Sequence, residues 1–567
     1  MKKIILFLIM GWVVLFAGTD FVDPIFNINS IINDPLDVKI ISTTKQGNII
    51  IQEVEFTSEV YQEKPVRIYG IIGFPEGANK LPAIFWSQSG MAPANKGMPE
   101  LFASRGYVCM CITLPHSIWN PNVRFDTKNP ENGNMTHYAI AQMRAITYLS
   151  TIPEVDPDRI GIGGSSYGGF FSTLIAGADP RLKCGMAFFA GGNMSLGTHI
   201  PQFTQLENLE DVDVWNKTID PALRLRYRKI PFLWGVAAND NWFYFSSVTK
   251  TYEDSIGEKR MAIVPLWEHG FPEEVDEQLF SWFDIYLKHI RKPYNNVSSL
   301  NIQKKNNKLY AMWSFSGENK VNEAKIIVSY GKVSPWKWWV HRNHLVFPAE
   351  IKGNMITAEI PVVEPGIEML VYGNIIDNNN VLISTVPVKV KPENYGLKKA
   401  NCYSRFNLFQ YKVLDDETQK NFNRMGITRY VVDKKEKRNN LNSLRVEPTN
   451  NKKTGQIYIK LHHVPEHSHI LKLWVKAEKK TEIVFTVKGV EYPDQKSSIV
   501  RLLRNQDTQG TIPIFTKSVN VENSWKMIQV QCPYNNEGVE GYELIITVKD
   551  PVKYWINNIV FEPVWNK

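Results

Sequence analysis

Cysteine is scarce in this chain. Five cysteines occur in 567 residues: Cys109, Cys111, Cys184, Cys402 and Cys532. Because their number is odd and their spacing fits no zinc pattern, neither disulfides nor a structural metal hold the fold together. Cys109 and Cys111 alternate within a predicted buried strand, so their side chains point to opposite faces of a sheet. We predict buried free thiols, and the sequence implies neither a metal nor an organic cofactor.

The chain also lacks a concentrated block of one charge. It has 65 Lys and Arg against 57 Asp and Glu, a formal net charge of +8 that is spread thinly. The run Lys434 to Arg438 is interrupted by Glu436, which is typical of a solvated surface. We found no nucleic-acid motif and no repeat, so a nucleic-acid partner is not expected. The length predicts roughly two to four domains.

Long apolar runs are absent after the N-terminus. Residues 1–3 are Met-Lys-Lys, Ile4 to Phe16 is almost entirely apolar, and residues 17–19 are Ala-Gly-Thr. This order is typical of a secretory signal peptide, which we place at residues 1–19. We therefore expect a secreted or periplasmic protein with no stable membrane insertion after cleavage. The alternative is an uncleaved N-terminal anchor.

Strands and helices alternate between residues 48 and 290. This pattern predicts an α/β fold with a mainly parallel sheet and helices on both faces. We interpret residues 20–47 as an extended linker and surface arm. The predicted strands include 48–56, 66–74, 81–86, 107–113, 158–160, 184–190, 230–236 and 260–265, and the predicted helices include 98–104, 137–149, 170–176 and 273–290.

A glycine-rich turn joins one of these strands to the next helix. Residues 164–168 read Gly-Ser-Ser-Tyr-Gly, which matches the G-x-S-x-G motif in its strand, turn and helix context. The motif makes Ser166 a candidate nucleophile whose hydroxyl projects from the sheet. Gly164 and Gly168 are needed because a side chain would clash with the neighbouring elements. The alternative is a glycine-rich turn with an exposed serine and no chemistry.

The Tyr167 N–H is a candidate oxyanion donor because it would stand at a helix N-terminus. A second donor is expected from the loop after the predicted strand 81–86. The backbone candidates there are Gln88, Ser89 and Gly90. No His-Gly-Gly-Gly run supports that choice.

Two later strand ends carry partners for Ser166. Asp240 follows the predicted strand 230–236, and His269 follows the predicted strand 260–265. The reactive site of such a sheet lies at the carboxyl ends of its strands, and the chain order Ser, Asp, His is the expected one. His269 suits a general base because its reference pKa is near neutrality. A buried Asp240 would fix the imidazole tautomer.

Two neighbouring residues are rivals of Asp240 for the acid. Asn239 is a poor rival because it is uncharged. Glu268 carries the right charge, but it adjoins His269 in the sequence and its geometry would be awkward. We therefore predict Asp240.

These residues carry a resemblance to a known group of enzymes. Residues 48–290 resemble an α/β-hydrolase of the prolyl oligopeptidase, dienelactone hydrolase and acetyl xylan esterase group. The resemblance implies a serine hydrolase with Ser166 as nucleophile, His269 as base and Asp240 as acid. The Ser-Tyr-Gly-Gly form is similar to the oligopeptidase branch, but no large N-terminal β-propeller is present, which favours an esterase over a peptidase. The matching stretches are Asp158–Gly161, Gly164–Gly169, Gly235–Asp240 and His269–Gly270.

The C-terminal half reads as short strands separated by turns. Residues 300–392 predict an immunoglobulin-like β-sandwich. Residues 400–567 resemble jelly-roll carbohydrate-binding modules, and the combination with a hydrolase core is similar to secreted PhoPQ-activated pathogenicity-related proteins. The aromatic residues are either a glycan-binding surface or core. Trp336, Trp338 and Trp339 form a second candidate platform.

Together these features predict an α/β-hydrolase domain at 20–292 followed by two all-β sandwich domains. The expected function is cleavage of carboxylic esters by a Ser-His-Asp triad through an acyl-enzyme. The expected partner is an ester-bearing polysaccharide or a small ester. The alternatives are a peptidase of the oligopeptidase type and a catalytically silent hydrolase fold used for binding. The sequence leaves the oligomeric state open.

Overall fold

A computed structural model describes most of the chain. It covers residues 21–114, 125–196, 209–331, 342–401, 410–411, 430–447, 456–464, 467–491, 510–533 and 539–564. The predicted signal peptide, Cys402 and the three tryptophans at 336, 338 and 339 lie outside these ranges. Within the described ranges, no helix has both the length and the apolar character needed to span a membrane.

A nine-stranded sheet organises the first part of the chain. Its strands are β1 (Lys39–Gln46), β2 (Ile49–Tyr61), β3 (Lys64–Pro75), β4 (Leu81–Ser87), β5 (Val108–Ile112), β6 (Val155–Ser165), β7 (Leu182–Phe188), β8 (Phe232–Ala237) and β9 (Lys259–Val264). The strand order is β1-β2-β3-β5-β4-β6-β7-β8-β9. The pairs from β1 to β5 are antiparallel, and the five pairs from β5 through β4 to β9 are parallel. The mainly parallel sheet is therefore confirmed.

Helices cover both faces of this sheet. They are α1 (Ile28–Asn33), α2 (Gly97–Ala103), α3 (Asn134–Thr151), α4 (Tyr167–Ala178), α5 (Leu209–Thr218), α6 (Ala222–Leu225), α7 (Phe245–Asp254) and α8 (Gln278–Phe283). Phe85 of β4 points into one core with Phe171 of α4, whereas Ile84 points into the opposite core with Phe102 of α2. Adjacent strand residues alternate between faces, so both faces of β4 are buried, as in parallel sheets covered by helices.

The prediction of a linker at residues 20–47 is wrong. This segment contains α1 and the edge strand β1, which pairs antiparallel with β2. Strand β1 is exposed at every position except Ser42, so it shows none of the apolar alternation that reveals a strand in a sequence. The buried Arg144 of α3 holds the segment by donating to the carbonyl oxygens of Ile31 and Asp34 at 2.7 and 2.8 Å.

Two other predicted elements are divided in the structure. The predicted helix 273–290 comprises a 3₁₀ turn (Glu273–Val275), α8 and a π-helical turn (Asp284–Lys288), and it ends at His289 with φ of 56°. The sequence also predicts one strand over residues 381–390, but the structure has two short strands there, Leu382–Ser384 and Val388–Val390, that pair with different parts of one neighbour. Further 3₁₀ turns lie at Ser89–Met91, Pro130–Asn132, Met194–Leu196 and Pro392–Tyr395.

Two five-stranded antiparallel sheets follow and share a core, which we call the first sandwich. One sheet contains β10 (Asn296–Val297), β11 (Asn301–Lys305), β12 (Lys308–Ser316), β15 (Glu350–Lys352) and β16 (Met355–Ile360). The other contains β13 (Val321–Tyr330), β14 (Leu345–Pro348), β17 (Met369–Asp377), β18 (Leu382–Ser384) and β19 (Val388–Val390).

A second pair of antiparallel sheets forms the second sandwich. Six strands make one sheet: β20 (Gln410–Tyr411), β21 (Val431–Arg438), β22 (Leu441–Val446), β24 (His469–Ala477), β27 (Lys526–Cys532) and β29 (Tyr554–Pro563). Four make the other: β23 (Gln456–Leu461), β25 (Thr481–Glu491), β26 (Gly510–Val521) and β28 (Val539–Val548). The two all-β regions are thus confirmed as sandwiches, while the immunoglobulin-like and jelly-roll assignments stay predictions.

The first sandwich is attached directly to the edge strand β9. Ser384 Oγ accepts from the Ile263 N–H at 2.7 Å, and Asn374 Nδ2 donates to the Ile263 carbonyl oxygen at 3.0 Å. These side chains satisfy backbone groups at an edge that would otherwise be open for pairing. Trp313 of β12 also belongs to the same apolar cluster as Phe283 of α8. The sheet and the sandwich therefore share a core.

The described cysteines are buried thiols, as predicted. Cys109, Cys111, Cys184 and Cys532 are free and buried. Burial raises the pKa of the Cys111 thiol to about 11. These side chains act as small apolar residues of the core.

Candidate active site

Ser166 lies on a sharp turn between β6 and α4. Its φ of 55° and ψ of −125° are unusual for a residue with a side chain. Two backbone hydrogen bonds hold this conformation: the Ser166 N–H donates to the Phe188 carbonyl oxygen, and the Phe170 N–H donates to that of Ser166, each at 2.9 Å. Such strain persists only where the surroundings enforce it, and it is common at functional sites.

The two glycines of the motif allow close approach of the backbone. A Cβ on Gly164 would lie 2.6 Å from the carbonyl carbon of Gly168. A Cβ on Gly168 would lie 2.1 Å from the Ser87 carbonyl oxygen and 2.9 Å from that of Gln88. The turn at Ser166 is therefore packed directly against the loop after β4.

We expect Gly168→Ala to destabilise the protein. The added methyl group meets backbone atoms that cannot rotate away, and such overpacking costs about 3 kcal/mol of unfolding free energy. Chemical denaturation measures the change. Gly366→Ala is the matched control, because its Cβ would meet only Glu393 Oε2 at 3.8 Å. Equal denaturation midpoints for the two variants would contradict the packing argument.

The structure brings Ser166, His269 and Asp240 together at one edge of the sheet. His269 Nε2 lies 2.7 Å from Ser166 Oγ. His269 Nδ1 lies 2.9 Å from Asp240 Oδ2 and 3.1 Å from Oδ1. With a carboxylate at Nδ1, that nitrogen carries the proton, and Nε2 is left as the acceptor facing the serine hydroxyl.

Asp240 is fixed by its own loop. It is 1% exposed, and its Oδ1 accepts from the Trp242 and Phe243 N–H groups at 2.7 and 2.9 Å. These bonds compensate the buried charge and aim Oδ2 at the imidazole. The geometry is that of a carboxylate that orients a histidine.

The imidazole is enclosed by aromatic rings that sequence reasoning missed. The Phe189 ring meets His269 edge-on at 5.3 Å, and the Phe243 ring lies nearly parallel to it at 6.2 Å. Trp242 is also 6.2 Å from it and remains 40% exposed. Phe189 directly follows β7, so its position at the end of a strand of the same sheet could have identified it from the sequence.

The rivals of Asp240 make other contacts. Asn239 Nδ2 donates to the Arg342 carbonyl oxygen at 2.8 Å. Glu268 Oε2 pairs with Lys460 Nζ at 2.9 Å. Both contacts lead away from the nine-stranded sheet and into the later part of the chain.

The candidate oxyanion donors lie beside the serine turn. Tyr167 begins α4 directly after Ser166. The Gln88 backbone adjoins Gly168, and Ser89 begins a 3₁₀ turn in which its carbonyl oxygen accepts from the Ala92 N–H at 3.0 Å. The donor roles of Tyr167, Gln88 and Ser89 stay predictions.

Part of the chain is similar in sequence to a known protein that is named as an esterase. No protein-family model matches the chain. An acetyl esterase, Axe7A, from Xylanibacter ruminicola is 24% identical over an alignment of 253 residues, and the match covers 39% of this chain. The match covers 56% of that protein, so the chain spans about half the length of this relative.

Solved structures align with part of the chain at low identity. An acetyl xylan esterase from Paenibacillus sp. R4 aligns with a TM-score of 0.39 and 16% identity, covering 46% of this chain and 92% of that one. A glucuronoyl esterase from Solibacter usitatus aligns with a TM-score of 0.35 and 14% identity, covering 44% and 86%.

Three observations identify the fold. They are the strand order, the turn at Ser166 between β6 and α4, and the chain order Ser, Asp, His of the residues that meet at one sheet edge. The first part of the chain has an α/β-hydrolase fold. In this fold the chain passes from β4 to β5 on one side and returns to β6 on the other. The loops after β4 and β6 therefore diverge, and such a switch point opens a crevice for a ligand. Ser166 directly follows β6 at this switch point.

Among the residues that the structure describes, no group of three or more His, Cys, Asp and Glu side chains could hold a metal ion. The reactive groups at hand are a hydroxyl, an imidazole and a carboxylate. Together they can carry out nucleophilic acyl transfer.

Proposed function

We propose that the protein is a serine esterase that removes acyl groups from a polysaccharide. The observation that carries this proposal is the contact of His269 with both Ser166 Oγ at 2.7 Å and the buried Asp240 at 2.9 Å. A hydroxyl needs a base to become a nucleophile at neutral pH, and this geometry supplies one. The similarity to a protein named acetyl esterase supports ester substrates.

The reaction begins with attack on the ester carbonyl carbon. Ser166 Oγ forms the new bond while its proton passes to His269 Nε2, 2.7 Å away. The negative charge on the carbonyl oxygen is received by the Tyr167 N–H and by a backbone N–H of Gln88 or Ser89. His269 then gives its proton to the departing alkoxide as the ester C–O bond breaks, which leaves an acyl-enzyme.

Water completes the cycle by the same route in reverse. His269 takes a proton from water, the resulting hydroxide attacks the acyl carbon, and the proton returns to Ser166 Oγ as the acid is released. Asp240 stabilises the imidazolium in both halves, because its charge is buried and its Oδ1 is held by two backbone N–H groups. The protein ends each cycle unchanged.

Exposed aromatic residues beside the imidazole support a carbohydrate substrate. Trp242 and Phe271 are 40% and 36% exposed, and Phe271 packs on Phe188 and Phe189. Such rings present a flat apolar surface next to the reactive serine, on which a sugar ring can lie. Export through the predicted signal peptide would bring the enzyme to extracellular polysaccharide.

The second sandwich supports the packing interpretation of its aromatic residues. Trp555 is 8% exposed, and its Nε1 donates to Asp433 Oδ2 at 2.9 Å. Trp474 lies under the Arg438 guanidinium at 3.2 Å. These two side chains are used within the sandwich, which supports packing rather than glycan binding as their role.

The test is release of acetate from acetylated xylan, measured beside a short chromogenic acetate ester. Ser166→Ala serves as the inactive control. Release from both substrates by the wild-type protein alone supports the proposal. Turnover of the small ester alone would indicate that the natural substrate is an ester other than acetylated xylan. No turnover of either ester by the folded protein contradicts the esterase, and short peptides and binding assays then test the two alternatives.

A further inference from the structure

Two residues that adjoin the site contact later parts of the chain, beyond the domain that carries the site. Asn239 precedes Asp240 in the loop after β8, and Glu268 precedes His269 in the loop after β9. Asn239 contacts Arg342, and Glu268 contacts Lys460. Two adjacent loops of the site are therefore anchored on later parts of the chain.

The Asn239 anchor is buried. Asn239 is 0% exposed, and its N–H donates to the Trp267 carbonyl oxygen at 2.9 Å, which ties the two loops together. Its Nδ2 donates to the Arg342 carbonyl oxygen at 2.8 Å. The backbone of Arg342 forms a parallel β-bridge with His463, which follows β23 in the second sandwich. The loop that carries Asp240 is thus linked to the second sandwich through Arg342.

The Glu268 anchor is direct. Lys460 Nζ lies 2.9 Å from Glu268 Oε2, and the two side chains are 14% and 27% exposed. Ile457, Ile459 and Leu461 of β23 are buried in the sandwich core. Because side chains alternate along a strand, Lys460 extends from the outer face of β23. This outer face lies against the loop that carries His269.

Lys460 lies among acidic groups. It pairs in register with Glu543 of β28, and Tyr458 stands two residues away on the same face. Burial, a hydrogen bond to Glu543 and the nearby charge of Glu268 raise the pKa of the Tyr458 hydroxyl. Glu268 Oε1 is buried without a hydrogen-bond partner among the described residues. Lys460 is thus the cation that balances Glu268 in this contact.

We propose that Lys460 is a positioning residue for His269, so that the second sandwich completes the working site of the hydrolase. This inference rests on the proposed esterase function. Lys460 holds Glu268, and Glu268 fixes the start of the turn from which His269 reaches Ser166 and Asp240. Removing one partner of a partly buried ion pair leaves the other charge uncompensated, and the loop then moves to solvate it.

Even a small displacement of His269 is expected to lower the rate strongly, because its Nε2 must stay within hydrogen-bond distance of Ser166 Oγ. A displacement of 1 Å in a reacting group lowers a rate by about 100-fold. Lys460 Nζ is engaged with Glu268, so it acts through the His269 loop and substrate affinity is not expected to change. A positioning role therefore predicts a loss in kcat with little change in KM.

The experiment compares Lys460→Met, Lys460→Arg and Lys476→Met in the full-length protein. Lys476 is the matched control: it is also 14% exposed and pairs with Glu436 at 2.7 Å, but within the second sandwich. For a chromogenic acetate ester, we expect Lys460→Met to lower kcat by about 10- to 100-fold with KM changed by less than about twofold. Lys460→Arg keeps the charge and should retain most of the activity, and Lys476→Met should match the wild type.

Labelling by a fluorophosphonate separates the possible failures. A wild-type protein that is neither labelled nor active overturns the proposed function and this inference with it. A labelled, active wild type whose kcat is unchanged by Lys460→Met overturns the inference alone. An equal loss in Lys460→Met and Lys476→Met also overturns it, because it would show a general effect on the sandwich. Slow labelling of Lys460→Met with rescue in Lys460→Arg supports it.

Discussion

Ser166→Ala is expected to lower kcat for a carboxylic ester by roughly 10⁶-fold, because without the Oγ atom no acyl-enzyme forms. Binding and the oxyanion donors alone leave only a small residual rate. The methyl group keeps the Cβ of the turn, so the backbone bonds to Phe188 and Phe170 are retained. Steady-state hydrolysis of a chromogenic acetate ester measures the effect.

The control for this variant is Ser150→Ala. Ser150 is a partly buried serine near the end of α3, where its Oγ donates to the Thr147 carbonyl oxygen at 2.7 Å. It should keep full activity. Thermal unfolding of Ser166→Ala should resemble that of the wild-type protein. A folded Ser166→Ala protein with undiminished turnover would exclude Ser166 as the nucleophile.

The residues that meet at the site were predictable from the sequence because each follows a buried strand. Ser166, Asp240 and His269 come after β6, β8 and β9, whose apolar residues and flanking turns are visible in the sequence. Parallel strands bring their carboxyl ends to one edge, so strand positions alone place these side chains near each other. The glycine-rich turn that presents Ser166 is also visible in the sequence, as Gly164 and Gly168.

Other features could not be predicted, because their signal lies outside the local sequence. Strand β1 was missed since an exposed edge strand needs no apolar face. The contacts of Asn239 and Glu268 depend on how two sandwiches pack on the hydrolase, and no local pattern reports that packing. The sequence marks both residues only as rivals of Asp240, whereas in the structure they anchor the loops that carry Asp240 and His269.

Asp240→Asn is expected to lower kcat by about 10⁴-fold while the fold is kept. The reason is the tautomer of His269. The Trp242 and Phe243 N–H groups require an acceptor, so the oxygen of the substituted amide turns toward them. The amide NH₂ then faces His269 Nδ1, which must accept, and the ring proton moves to Nε2. A protonated Nε2 cannot take the proton of Ser166. Hydrolysis of the chromogenic ester measures the loss.

Asp377→Asn is the matched control for the amide itself. Asp377 is 1% exposed, and its Oδ1 likewise accepts from two backbone N–H groups, those of Asn379 at 2.8 Å and Val381 at 3.0 Å. It lies at the end of β17 in the first sandwich, outside the Ser166 site, so the same substitution there should leave kcat unchanged. If Asp240→Asn also keeps its kcat, the Asp240 carboxylate does not set the tautomer of His269. A loss confined to Asp240→Asn assigns the effect to the contact with His269.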